Sequence, residues 1–436
     1  MAASMLANEK FDIYDRIVSS LDAGVQLTYS PLIREAFHFC LQEAKRSADQ
    51  PEVRKPRLSG VAPDAFPEKR KISKVGYFYD EGFLGNVLKE FEGKGVSVVK
   101  LELMEPKMKK VLSNKQEEEI GFFDSSLLNM CGLNIRDYLV GRFCFFNGMV
   151  SRYYESLARA GVDAVIFRVY YGLNYFPIIL ACKMLGITVI DVQHGINGFK
   201  HLAYSRFREG EVSSPLLPDI FWTWSAMATR MLEKDSFINA FSHIVEGGNP
   251  VFSGSGDSGD GAFLRGREGN RLRILYTHQP KSKAIPVPYD EIRELYNIKE
   301  SKVVIRPHPL HFDEAMGIQR ELKKLGVKSK VEDSRKVAIN DSLSRTSVHV
   351  TYSSTCALDA LNFGIPSVYC SDYIGDVEKE FSTGLLFRIG EIDESDLVRV
   401  PEKAVDYSLG GAEKVKKGVS RVLALTSSGR DGGDSI

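Results

Sequence analysis

Over most of the chain, short runs of apolar and β-branched residues alternate with longer stretches of helical period. In the first half the strand-like runs are Val75-Gly76-Tyr77-Phe78-Tyr79, 96–101, 164–167, 187–192 and 219–224. Helical stretches start near Gly82, cover 174–185 and start again at Ser225, and residues 105–147 read as mostly helical. The pattern breaks after the turn Gly247-Gly248-Asn249-Pro250, at Ser253-Gly254-Ser255-Gly256-Asp257-Ser258-Gly259-Asp260-Gly261, a linker composition. It restarts at Leu272 and continues through strands 272–276, 303–305, 348–352 and 367–369, with helices near 312–325 and 355–363. Strands that alternate with helices predict parallel sheets wound on both faces. The expected fold is α/β, with two Rossmann-like doubly wound domains facing a cleft and an N-terminal helical extension. The expected boundaries are 1–70 for the extension and its connection, 71–251 for the first domain, 252–270 for the linker and 271–425 for the second domain, with 426–436 a disordered tail. Within the extension, 31–48 carries apolar residues at helical spacing, whereas 49–70 is rich in Pro, Lys and Arg.

Composition narrows what such a fold would do. A chain of 436 residues is too long for one ordinary core and fits two domains. Lys plus Arg and Asp plus Glu both number 57, so no strong field favours nucleic acid. The cysteines (Cys40, Cys131, Cys144, Cys182, Cys356, Cys370) are scattered without CxxC spacing. Buried free thiols of a reducing cytoplasm are expected, not disulfides or a metal site. No stretch approaches the roughly 20 apolar residues of a membrane span, and the opening lacks a signal peptide's apolar centre. The expected location is cytoplasmic, with peripheral contact at the inner membrane left open.

Candidate chemistry gathers where strands end, because ligands of open α/β sheets lie beyond the carboxyl ends of the strands. Arg306-Pro307-His308-Pro309 follows strand 303–305, and its two prolines fix the backbone that carries the imidazole. Arg306 is expected as a second phosphate donor, and His311 stands nearby. Ser353, Ser354 and Thr355 follow strand 348–352, where a helix start offers hydroxyls, backbone N–H groups and the positive dipole end. Asp359, one turn on, shares a face with Thr355 and is either a ribose acceptor or a solvated helix carboxylate. His278, in Thr277-His278-Gln279-Pro280, closes the first strand of the second half. Together these make an anion site suited to a nucleotide phosphate, without a P-loop.

In the first half, His194 of Gln193-His194-Gly195 ends strand 187–192 and is placed either to act as a general base or simply to bond within a polar loop with Asn197, Lys200 and His201. Asp80 and Glu81 end the first strand as acceptor-side carboxylates or as a helix-start acidic pair. Tyr170/Tyr171 and Trp222/Trp224 read as core.

These residues resemble GT-B fold glycosyltransferases. More narrowly, they are similar to bacterial surface-polysaccharide transferases: polysialyltransferases, capsule Kdo transferases and teichoic-acid glycerophosphotransferases. The resemblance spans about 74–425 and implies that His308 with Pro309, and Ser353, Ser354 and Thr355, grip the phosphate of a CMP- or CDP-linked donor. For the base it implies either His194, where Gln193 replaces the family's Trp, or the Asp80-Glu81-Gly82 motif. It implies a metal-independent glycosyltransferase with no cofactor beyond its nucleotide-sugar donor (UDP also allowed), acting on a surface polysaccharide or lipid-linked acceptor. A sugar-nucleotide epimerase shares the architecture, and a glycan-assembly scaffold is the non-catalytic alternative.

Overall fold

The protein is seen here in a computed structural model that describes residues 14, 16–18, 27, 29–35, 57–58, 66–79, 81–106, 111–131, 134–195, 201, 203–205, 207, 211, 214–235, 237–251, 272–279, 286–298, 301–370, 384–392 and 412–427. The chain forms two compact units, one of residues 1–252 with 412–436 and one of residues 253–411.

The first unit is built on strands β1 (Lys74–Tyr77), β2 (Ser97–Lys100), β3 (Ala164–Phe167), β4 (Thr188–Val192), β5 (Ile220–Thr223) and β6 (His243–Glu246). They pair in parallel in the order β2-β1-β3-β4-β5-β6. β3, β4 and β5 are buried at every position, as expected of parallel strands covered on both faces. The covering helices include α1 (Glu81–Gly93), α2 (Asn114–Cys131), α3 (Arg136–Ala160), α4 (Phe176–Met184) and α5 (Ala226–Asp235). Gly161, left-handed at φ 59°, closes α3 by donating to the Leu157 carbonyl. The described part of the extension belongs to this core: Tyr14, Ile17, Tyr29, Leu32 and Ile33 are buried in one cluster with residues of α2 and α3.

The second unit holds β7 (Leu272–His278), β8 (Ser301–Pro307), β9 (Ser329–Val331), β10 (Val348–Thr351), β11 (Ser367–Tyr369) and β12 (Leu386–Phe387). All pairs are parallel, in the order β9-β8-β7-β10-β11-β12. Its helices include α6 (Tyr289–Ile298), α7 (Ala315–Lys324) and α8 (Cys356–Asn362). This order runs outward from β7 in both directions, so the direction of winding reverses between β7 and β10, and the crevice at that reversal is where doubly wound sheets take ligands. Two doubly wound parallel units in one chain make the GT-B plan.

One expected boundary is corrected. The last helix, α9 (Ala412–Ser427), does not complete the second domain; it belongs to the first unit. Val415, Val419 and Val422 are buried there with Val75, Trp222 and Val245. The contact requires glycine on both sides of an indole: a Cβ on Gly247 would lie 2.0 Å, and one on Gly418 2.6 Å, from Trp222 ring carbons. Gly247 therefore serves packing, and the Trp222 indole N–H donates to the Gly248 carbonyl at 2.8 Å. β6, β9, β12, α6 and α9 were not anticipated from sequence. Most of the extension, the 252–270 linker and the expected tail beyond Ser427 lie outside the described residues. Cys144, Cys182, Cys356 and Cys370 are free thiols. No helix among the described residues is long and apolar enough to cross a membrane.

Candidate functional site

At the reversal point of the second unit, the segment after β7 meets the segment after β10. The Gln279 side-chain oxygen accepts from the Ser353 N–H at 2.8 Å and from the Ser353 hydroxyl at 3.2 Å, which bridges the crevice. Ser354 supplies the local turn: its N–H donates to the Thr351 hydroxyl at 3.0 Å and its own hydroxyl accepts from the Cys356 N–H at 3.2 Å. Thr355 sits at the cap position without a side-chain capping bond. With only 7 residues, α8 contributes a weak dipole, so the rim offers hydroxyls and imidazoles more than a helix end. Asp359 is half-buried, not solvated, and desolvation pushes its carboxyl up to about 7.

Three histidines line the neighbouring strand ends. His278, buried at the end of β7, places Nε2 2.8 Å from Glu314 Oε2 and Nδ1 3.1 Å from the Tyr276 hydroxyl. The other Glu314 oxygen lies 3.2 Å from His311 Nδ1. His308 is exposed, its N–H donating to the His278 carbonyl at 3.1 Å. Its Nδ1 accepts from the Leu310 N–H at 3.3 Å, so the neutral ring carries its proton on Nε2 and remains a donor. Desolvation first, then the charges of His311 and His278, lowers the His308 pKa from its ordinary value. Pro309 opens the 3-10 turn (Pro309–Glu314) that His308 caps.

Arg306 is placed differently from the expectation. Its guanidinium is buried and donates to Glu332 Oε1 at 3.1 Å, the Ser342 hydroxyl at 3.0 Å and the Val337 carbonyl at 2.7 Å. The fork that was to hold a phosphate instead fastens β8 to the segment 332–342. His349, neighbouring in β10, is a core group: its ring lies 2.8 Å from the Thr277 hydroxyl and 3.0 Å from that of Ser367, and burial drops its pKa to about 3.

In the first unit, His194 follows β4 with Gln193 clamping the backbone: Gln193 donates to the Gly195 carbonyl at 2.6 Å and accepts from the Trp224 N–H at 2.7 Å. The Tyr171 hydroxyl stands 3.2 Å from His194 Nε2 and 3.1 Å from His201 Nε2. Tyr171 is therefore not simply core. Beneath it, Tyr204 donates to Asp191 at 2.8 Å inside the sheet, and burial raises the Asp191 pKa to about 8. Of the acidic pair, Asp80 lies outside the described residues. Glu81 is exposed at the start of α1 and bonds the Tyr77 hydroxyl, whose pKa is raised by desolvation and then by that carboxylate.

Sequence reasoning missed Gln279, Glu314, Tyr171, Asp191 and Tyr204. A signal existed for Glu314, three residues after His311, and for Asp191, a lone carboxylate within an apolar strand; the others depend on which loops meet.

No family model matches the chain, and no curated protein matches it either. Among solved structures it is similar to S. aureus MnaA in a structure with UDP (12% identity, 84% of this chain and 100% of that one, TM-score 0.47). It is also similar to the UDP-GlcNAc 2-epimerase of Neisseria meningitidis bound to UDP-GlcNAc (15%, 81% and 99%, TM-score 0.47). A third is the lipopolysaccharide outer core galactosyltransferase WaaB (14%, 81% and 96%, TM-score 0.43). Likeness at this level says nothing of what this chain acts on.

Proposed function

We propose that the chain is an enzyme acting on a nucleotide-linked sugar, with the nucleotide phosphate seated at the reversal point of the second unit. The supporting observation is that Gln279, His308, Ser353 and Thr355 lie at the carboxyl ends of β7, β8 and β10, beside the one crevice where this strand order favours ligands. Hydroxyl and imidazole donors there would neutralise charge on a departing phosphate, the kind of stabilisation that dominates such cleavage.

Two outcomes of that cleavage stand in competition. Epimerisation of the sugar on its nucleotide calls for several acids and bases around the sugar, and the second unit gathers Glu314, His278, His311 and Asp359 near the phosphate rim. That abundance favours the epimerase reading. Transfer to a surface polysaccharide or lipid-linked glycan, with His194 or Glu81 on the acceptor side and a CMP- or CDP-type donor, is the second reading and rests on the sequence resemblance.

A thermal-shift panel of CMP, CDP, UDP, GDP and TDP tests the common part. Ligand at about 100 times its Kd should stabilise by ~2.7 kcal/mol, and no shift with any of the five removes the proposal. Incubation of the binding nucleotide's sugars without acceptor then separates the readings. A changed sugar still linked to nucleotide supports epimerisation; an unchanged donor that is consumed only when glycan is added supports transfer.

A further inference from the structure

The backbone N–H and the hydroxyl of Ser353 converge on a single atom, the Gln279 side-chain oxygen, at 2.8 and 3.2 Å. Because an N–H can only donate, the atom facing it is the carboxamide oxygen and not the nitrogen. Neighbouring donors are answered differently. The Ser354 N–H goes to the Thr351 hydroxyl and the Cys356 N–H to the Ser354 hydroxyl, so the turn satisfies them as part of its own fold. Ser353 is satisfied from another strand end.

Gln279 is suited to leave that place. It stands one residue past the last ladder pairs of β7, Pro307 with His278 and Thr351 with Thr277. It is partly exposed, whereas Thr277 and His278 are buried. Among the described residues its side chain makes no hydrogen bond besides the two to Ser353, so its release breaks those and nothing else. A carboxamide oxygen is a neutral acceptor. A phosphate oxygen is anionic, and hydrogen bonds to ionised acceptors are about twice as strong as neutral ones. A sugar hydroxyl has no such advantage. We infer that Gln279 is a specificity-determining residue: its side chain holds the place of a phosphate oxygen on Ser353 and yields it to an anionic group but not to a neutral hydroxyl. This role rests on the nucleotide site proposed above. Its consequence is that apparent affinity is reduced by the fraction of molecules in which Ser353 is released.

Titration calorimetry on the full chain compares the wild type with Gln279→Met and Gln279→Glu, using CMP, CDP, UDP, GDP and TDP as probes. Methionine keeps the length of the side chain and removes the oxygen. The nucleotide that binds the wild type should bind this variant roughly fivefold to tenfold more tightly, the weight of the neutral bonds no longer in competition. Glutamate sets a charged acceptor on the same two donors, and binding should weaken by about tenfold or more. The gain from Gln279→Met should shrink when Ser353 is also replaced, in Ser353→Ala, because one of the contested donors is then gone. If Gln279→Met does not fold, Gln279→Ala removes the same oxygen and is read in the same way. A bridge that serves only to shape the crevice predicts the reverse pattern: weaker binding in Gln279→Met, and little change in Gln279→Glu, which still spans to Ser353. That pattern, equal affinity in the wild type and Gln279→Met, or a gain indifferent to Ser353→Ala overturns the inference and leaves the nucleotide site in place. Failure of all five nucleotides to bind the wild type and both variants removes the nucleotide site and this role together.

Discussion

Replacing Arg306 by Met separates a structural guanidinium from a phosphate-binding one. In the folded protein the side chain satisfies Glu332, the Ser342 hydroxyl and the Val337 carbonyl at once. Methionine keeps most of the stem's volume and removes every donor. Breaking a buried ion pair from one side costs about 3–5 kcal/mol, because the remaining carboxylate loses its partner without regaining water. Here Glu332 retains Arg273 at 3.4 Å and Arg345 at 3.7 Å, which points to the low end, about 3 kcal/mol. For a unit of this size that corresponds to a fall in melting temperature of about 6–12 °C, read by scanning calorimetry. Adding Glu332→Met should recover only part of the loss: an apolar pair can stand in for the ion pair, but Arg273, 3.4 Å from that carboxylate, then loses it. His308→Ala should show the opposite profile: little change in melting temperature, and nucleotide binding weaker by ~1.5–3 kcal/mol, or about 10–150-fold. The reasoning is refuted if Arg306→Met melts like the wild type while its nucleotide affinity falls tenfold.

Asp359 should make nucleotide affinity pH-dependent. Its carboxyl is raised to about 7, so a ribose hydroxyl that donates to the carboxylate should bind more tightly as pH rises through that value. Titration calorimetry should find this trend in the wild type and a flat profile in Asp359→Asn. Asp191 gives a stability test: its pKa is raised by burial from 3.8 to about 8, against the opposing pull of Tyr204 and the Tyr170 backbone. The sign follows from proton uptake by the folded state: stability is full below 3.8 and lost as pH rises through about 8, and urea titrations of Asp191→Asn should lack that decline. Gly418→Val should lower the melting temperature by overpacking, at a cost of roughly 1–3 kcal/mol, because its Cβ would meet Gly247 Cα at 2.7 Å and Trp222 at 2.6 Å. Gly317→Ala is the counterpart: in α7 a Cβ meets nothing within 4 Å, and a gain of ~0.5–1 kcal/mol is expected.

The central strands were legible because burial on both faces leaves a run of apolar residues that needs no partner information. Ala164–Phe167 and Ser367–Tyr369 have the expected bounds, and Thr188–Val192 starts one residue later than expected. Edge strands were not legible. Ser329–Val331 contains a lysine and a serine, and its three positions are all partly or fully exposed, so its pattern is that of a loop; only pairing with Val303–Ile305 makes it a strand. α9 was illegible as part of the first unit for a different reason. Its valines at helical spacing announce a buried face but not the face that receives it, and the receiving groups, Trp222 and Gly247, lie far back in the chain.

Residue type at a strand end proved a better guide to place than to role. Arg306 and His308 stand two positions apart on one strand end, and both were read as donors to a phosphate. Side chains two apart share a face of the sheet, so periodicity could not separate them. What separates them is the next segment. Glu332 follows β9, the neighbour of β8, and its N–H donates to the Ile305 carbonyl at 2.9 Å, which sets its carboxylate against the Arg306 fork. His308 lies beyond the last ladder pair, Pro307 with His278, where no neighbouring strand supplies an acid. A charged side chain inside the ladder is claimed by the adjacent strand, whereas one just past it stays open to a ligand. By that rule Asp191, paired in register between Phe167 and Phe221, belongs to the architecture of the first unit, whereas His194, two residues past the end of β4, stands outside the ladder.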